Sequence, residues 1–329
     1  KLLKRVFLHA IEGESILFTD DGNIFATGFV TRYRPENYRG DLTQGVCAFL
    51  LDTALNVTWR ETYPCFYNSV PHAAIQLRDH SFLVIASTLV YKDTVNWGAD
   101  DRDDNRMLII GPGGKSVRDT ILLSVKRDRY EQEYYDMYPH AKPEMPFCYL
   151  YNVVETDSGF IFSGTFLASL SDWSVILIRT DKNFGLKKIR KISYKLSKYR
   201  KIPLWSQSMT CDTAGIVVTA RGEYSEDNNF IFRYSYDFDS LWMRQTPGKS
   251  LDPPVVSCTS AGHYLMCQSS GNRAYITFFD PSGNQETLPP GTKDIMEIDG
   301  ICPDGNYAYI ISSTKETPRQ TYVMKIKLN

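Results

Sequence analysis

The sequence predicts an all-β fold: a six-bladed β-propeller of four-stranded antiparallel blades, in one domain spanning residues 1–329. Three observations carry the prediction. A hairpin pattern recurs six times, a second hairpin follows the first five copies, and the last copy lacks its fourth strand. Composition agrees, because aromatic residues make up 13% of the chain, with 21 Tyr and 17 Phe. Such side chains suit the pleated, half-buried surface of a strand.

The recurring unit is an apolar strand, an acidic or Gly-bearing turn, and a second apolar strand ending in small residues. Its copies are S-I-L-F-T-D-D-G-N-I-F-A-T-G (15–28), A-I-Q-L-R-D-H-S-F-L-V-I-A-S (74–87), N-V-V-E-T-D-S-G-F-I-F-S-G (152–164), S-M-T-C-D-T-A-G-I-V-V-T-A (208–220), V-S-C-T-S-A-G-H-Y-L-M-C (256–267) and I-C-P-D-G-N-Y-A-Y-I-I-S (301–312). Gly, Asn and Asp tolerate the positive φ of tight hairpins. The second hairpins run over 48–59, 107–117, 175–188, 231–242 and 275–286, whereas the sixth copy stops at 322–329 with a third strand only. Turn spacing is 47 residues from Gly215 to Gly262, 43 from Gly262 to Gly305, and 46 from Gly305 through the termini to Gly22. A four-stranded blade needs about 40–50 residues.

The missing strand has a candidate. K-L-L-K-R-V-F-L-H (1–9) is an apolar run with no hairpin partner before it. It reads as the fourth strand of the C-terminal blade, closing the ring by mixing both termini. The chain opens at Lys1 in this strand-like run and is read as a mature or trimmed form.

These turn motifs resemble secreted bacterial propeller-repeat proteins, especially those of Bacteroidetes-type envelopes. The matching features are the D-G-x-I-x-x-x-G of 21–28, an apolar strand, and a second Asp-led turn as in D-T-A-L-N-V-T-W (52–59). The resemblance covers essentially the full length. It implies an extracytoplasmic location (periplasmic, surface or secreted), and it carries no functional residues. Sialidase-type S-x-D-x-G-x-x-W turns and WD40-type Gly-His and Trp-Asp signatures are absent, so no site transfers from those families.

Loop lengths choose a face. The turns inside the hairpins are short, whereas second-to-third loops and inter-blade links hold the insertions 31–45, 91–106, 126–147 and 197–206. Long loops on a rigid scaffold are where binding residues concentrate. Tyr and Trp supply amphipathic contact area and Arg a forked donor. The ligand-binding candidates are therefore Tyr33, Arg34, Tyr38, Arg39, Trp97, Tyr130, Tyr134, Tyr135, Tyr138, His140, Trp173, Trp205, Arg221 and Tyr224.

Other features weigh less. Asp100, Asp101, Asp103, Asp104 and Asn105 offer oxygen ligands, which makes Ca2+ the candidate ion for Asp100, Asp101 and Asp103. The spacing is not that of an EF-hand, so a solvated acidic loop paired with Arg102 and Arg106 is favoured. Lys182 to Lys201 holds nine Lys or Arg and no acid. It reads as a charged outer edge strand that blocks sheet-to-sheet pairing, with attraction of a polyanion as the alternative. The five His lie in different copies without metal-site spacing. G-P-G-G-K-S (111–116) lacks the full phosphate-loop spacing and reads as a hairpin turn. The seven Cys form no C-x-x-C pair and read mainly as buried thiols, with one or two disulfides as the alternative. Asn56-Val57-Thr58 matches a glycosylation acceptor.

No apolar run reaches the roughly 18 residues of a membrane-spanning segment. The net charge of -1 gives no reason to expect nucleic acid. The expectation is a monomeric binding module without a cofactor, taking a glycan, peptide or protein ligand. The alternatives are a propeller hydrolase or lyase with acidic or His groups at the axis, and a scaffold within an assembly.

Overall fold

The computed structural model describes residues 12–33, 42–52, 54, 56–63, 69–90, 102–126, 147–167, 173–197, 200–202, 204–222, 229–246, 254–259, 261–270, 273–287, 297–304, 307–313 and 321–327. Among them every regular element is a strand, and no helix is long and apolar enough to cross a membrane.

The strands form consecutive antiparallel meanders. The first is β1 (Glu12–Phe18), β2 (Ile24–Tyr33), β3 (Leu42–Leu51) and β4 (Val57–Tyr63); the second is β5 (Ser69–Gln76), β6 (Phe82–Val90), β7 (Arg102–Ile110) and β8 (Ser116–Lys126). The third is β9 (Phe147–Thr156), β10 (Gly159–Leu167), β11 (Trp173–Asp181) and β12 (Leu186–Ile192). A two-stranded hairpin follows, β13 (Tyr194–Ser197) with β14 (Arg200–Ile202). The fourth sheet is β15 (Leu204–Cys211), β16 (Gly215–Gly222), β17 (Asn229–Ser235) and β18 (Ser240–Thr246); the fifth is β19 (Val255–Cys258), β20 (Tyr264–Ser270), β21 (Arg273–Phe279) and β22 (Gln285–Thr287). The last has three strands, β23 (Glu297–Asp304), β24 (Tyr307–Ser313) and β25 (Thr321–Lys327). This matches the truncated sixth copy. The expected partner, Lys1–His9, lies outside the described residues.

Position within a sheet sets the sequence pattern. Middle strands are buried on both faces, as in β16 and β17, so they read as unbroken apolar runs. Fourth strands such as β4, β12 and β18 are mostly exposed and carry the Lys, Arg and Glu. The basic run over 182–201 therefore includes an outer edge strand, β12.

The chain divides into two compact units. One comprises Lys1–Phe160, Phe166–Leu170 and Lys182–Phe184; the other comprises Ile161–Thr165, Ser171–Asp181 and Gly185–Asn329. In the first, the leading strands β1, β5 and β9 lie in succession. Phe25 and Phe82 stack between the first two sheets at 4.0 Å, with Trp59 against both rings. In the second unit β11, β15, β19 and β23 follow one another in the same way. Tyr264, Phe279 and Val256 share a buried cluster with Val217 and Ile231, and Trp242 covers it.

Polar side chains satisfy the leading strands' free edges, where buried N–H and C=O groups would otherwise be costly. In the first unit the Asn105 amide donates to Cys148 O at 2.9 Å and accepts from Leu150 N at 3.0 Å. In the second, Ser206 N donates to Thr165 Oγ1, Val256 N donates to Ser208 Oγ, and Thr219 Oγ1 donates to Pro254 O.

A second contact recurs at the hairpin-turn end. The fourth strands β4, β8, β12 and β18 each reach onto an outer turn of the following sheet. Trp59 Nε1 donates to Pro112 O at 2.8 Å, and Trp242 Nε1 donates to Pro281 O at 3.0 Å. The left-handed residue of each receiving turn is glycine, Gly114 (φ 82°) and Gly283 (φ 81°). A Cβ there would meet the indole at 2.9 and 2.8 Å. In two other turns Phe184 and Phe238 hold that position, with φ of 61° and 64°. There the reaching residue is a cation instead. Arg118 donates to Asn183 O and lies 5.0 Å from the Phe184 ring, while Lys188 and Arg190 donate to Asp237 O and Phe238 O. At this strand position Trp59 and Trp242 meet glycine turns and Arg118 and Lys188 meet phenylalanine turns, while Arg244, two residues after Trp242, also donates to Gly283 O at 2.8 Å.

One expectation is corrected. Asp103, Asp104 and Asn105 are not loop residues: they lie in β7, register-paired with β6 and β8, and Asn105 is fully buried. Arg106, in the same strand, forks onto Asp119 of β8 at 2.8 and 2.5 Å. Polar residues enter this strand because its partners on both sides satisfy the backbone and Asn105 meets a bare edge.

Candidate functional site

Trp173 is the first residue of β11, Trp205 the second of β15, and Arg221 the penultimate residue of β16. Antiparallel pairing brings the start of β15 beside the end of β16, where Trp205 and Arg221 are direct partners. The link from β12 to β15 arrives at the same end. Three of the expected candidates are thereby gathered at the insertion-bearing end of the second unit. The indoles of Trp173 and Trp205 lie 5.5 Å apart at 48°, an open wedge rather than a parallel stack. Both are half-buried, as is Arg221. Among the described residues, Nε1 of Trp205 is shielded from solvent and has no hydrogen-bond partner. An unmet donor of this kind costs about 1–3 kcal/mol.

Further contacts hold neighbouring strands at this end together. Tyr194, opening β13, packs on Phe230 of β17 at 4.7 Å and anchors the small hairpin. Asn229, opposite Arg221, donates to Gln268 Oε1 at 2.9 Å, and both are buried. Sequence reasoning named neither, because each is an ordinary strand residue whose role follows from a neighbour in another sheet.

The remaining candidates are placed as follows. Tyr33 closes β2 opposite Leu42, also where an insertion departs. Arg34, Tyr38, Arg39, Trp97, Asp100, Asp101, Tyr130, Tyr134, Tyr135, Tyr138, His140 and Tyr224 lie outside the described residues. Among the described residues no group of three or more His, Cys, Asp or Glu side chains is placed to hold a metal ion.

Two polar centres were not foreseen. In the first unit His72 is the extra residue of a bulge in β5, between Pro71 and Ala73. Its Nε2 lies 2.8 Å from Ser87 Oγ, and Tyr149 and Tyr151 present edges to it. Burial pushes its pKa from 6.5 down to about 4. In the second unit Asp212, in the turn after β15, accepts from Arg233 at 2.8 Å and from Tyr264 Oη, while its carbonyl accepts from Tyr236 Oη. Burial, with the nearby Asp212 charge and Cys211, pushes the Cys258 thiol up to about 11, an unreactive state. Cys47, Cys148, Cys211, Cys258 and Cys267 are all free thiols. The other described histidines serve locally: His80 holds a turn at φ 64° and His263 stacks on Phe278 at 4.9 Å.

No protein-family model matches the sequence, and no curated protein matches it. Solved structures do. A protein of unknown function from Dyadobacter fermentans aligns with a TM-score of 0.56 at 11% identity, covering 97% of this chain and 96% of that one. The Neurospora crassa Pan2 WD40 domain aligns with a TM-score of 0.51 at 11% identity, covering 98% and 92%. A Synechocystis apocarotenoid oxygenase mutant gives 0.49 at 8% identity and covers 62% of that chain, too distant to carry an argument. At such identities likeness speaks of architecture alone. The chain has a propeller-like β-fold built from four-stranded antiparallel sheets.

Proposed function

We propose that this chain is a single six-bladed propeller of the cell envelope or extracytoplasmic space. In this reading it binds a glycan, peptide or protein ligand at its insertion-bearing end. The observation that supports binding is the Trp173–Trp205 wedge with Arg221 beside it. Half-buried indoles at a strand end, with a guanidinium beside them, suit contact with a ligand. Residues Lys1–His9 supply the fourth strand of the β23–β25 sheet and close the ring.

The binding reading is tested by screening the purified chain on glycan and protein arrays beside Trp205→Ala and Arg221→Ala. The expected outcome is a ligand captured by the wild type and lost by both variants, whose urea midpoints stay close to wild type. Capture unaffected by either substitution overturns the reading.

A further inference from the structure

The bulge of β5 puts a base beside a serine. Pro71 and Ala73 pair with Ala86 and Ile85 of β6, and His72 is the residue left over between them. Bulges re-aim a side chain and are frequent beside active sites. Here the imidazole meets β6, where its Nε2 lies 2.8 Å from Ser87 Oγ. The rings of Tyr149 and Tyr151 cross the imidazole at 70° and 67°, with centroids 6.3 and 5.1 Å away. These tyrosines stand two residues apart on β9 and so share one of its faces. Burial keeps His72 neutral, which leaves one ring nitrogen able to accept a proton. His72, Ser87, Tyr149 and Tyr151 are all half-buried, and each keeps some surface open to solvent.

We propose that Ser87 and His72 are a nucleophile and its general base, and that they hydrolyse carboxylic esters of small acyl groups. A serine hydroxyl is a weak nucleophile until an adjacent base within hydrogen-bond reach takes its proton. With the imidazole proton on Nδ1, Ser87 Oγ–H donates to Nε2. Oγ then bonds to the ester carbonyl carbon as its proton passes to Nε2. The bond from that carbon to the alcohol oxygen breaks, and the alcohol leaves with the proton from Nε2. Water repeats the exchange on the acyl-serine, which releases the carboxylic acid and restores Ser87 Oγ–H. A neutral ester suits a place where burial disfavours charge, since an ionic substrate would lose its hydration there. The activity is separate from the binding role proposed above, because Trp173, Trp205 and Arg221 belong to the other compact unit.

The test exposes the full chain to a fluorophosphonate and maps the modified peptide by tandem mass spectrometry. The label is expected on Ser87, and about a hundredfold faster in the wild type than in His72→Gln. With p-nitrophenyl acetate the wild type should release a burst of p-nitrophenolate equal to the amount of chain, absent in Ser87→Ala. Mapping is read on the unaltered chain, so it decides the matter even where a variant unfolds. A wild type that the fluorophosphonate leaves unmodified, or modifies elsewhere, overturns the proposal. Labelling of Ser87 at the same rate in a folded His72→Gln overturns it too, because the base is then idle.

Discussion

His72 shows how one side chain couples burial to pH. It is neutral in the native fold because burial holds its pKa near 4, against 6.5 when exposed. The unfolded chain therefore takes up a proton at a pH where the native chain does not. The stabilisation is complete above pH 6.5, declines as pH falls toward 4, and changes no further below that. The decline amounts to about 3 kcal/mol. Urea unfolding at a series of pH values should show this loss in the wild type and a flatter profile in His72→Gln. A wild-type profile that is flat between those limits contradicts the account. The bulge that creates this site was invisible in the sequence, where P-H-A-A reads as ordinary strand. A one-residue excess is defined only by the partner strand.

The fourth strands and the turns they reach form the unit of interest at the next scale. The indoles of Trp59 and Trp242 lie where a Cβ on Gly114 or Gly283 would collide, whereas Arg118 lies over the Phe184 ring. Gly114→Phe alone should cost more than about 2 kcal/mol, since the new ring collides with Trp59. Adding Trp59→Arg should recover a good part of that loss, and a double-mutant cycle in urea measures the coupling. Purely additive losses would dismiss the pairing. The strands and turns were legible because apolar runs and Asp/Gly turns are local signals. This pairing was not, because Arg118 and Phe184 lie far apart in sequence and meet only when sheets stack. The same reason explains Asp103–Asn105: a run of acids reads as loop until the neighbouring strands and an edge needing Asn105 are in view. Trp173, Trp205 and Arg221 were legible as candidates because their place at strand ends follows from loop length. Their convergence into a wedge needed the sheets themselves.

At the scale of the whole molecule, the proposed closure makes the nine opening residues structural. Deleting residues 1–9 should lower the thermal midpoint and raise amide exchange in β25, the last strand of its sheet. Supplying the same nine residues as a free peptide should restore protection there. Unchanged exchange in β25 after the deletion excludes this partner. The three-stranded sixth copy was legible in the repeat; Lys1–His9 was read as the donor because it is an apolar run with no hairpin partner before it.

The correspondence of Trp with Gly and of cation with Phe also bears on how such a chain can change over time. A sheet carries half of each contact: a reaching residue for the neighbour ahead and a receiving turn for the neighbour behind. Trp242 packs on a successor whose turn carries Gly283, and Arg118 on one whose turn carries Phe184. Duplicated or recombined segments would thus be accepted only in compatible order, like words bound by agreement with their neighbours. The order of sheets is itself inherited information, even though every sheet has nearly the same shape.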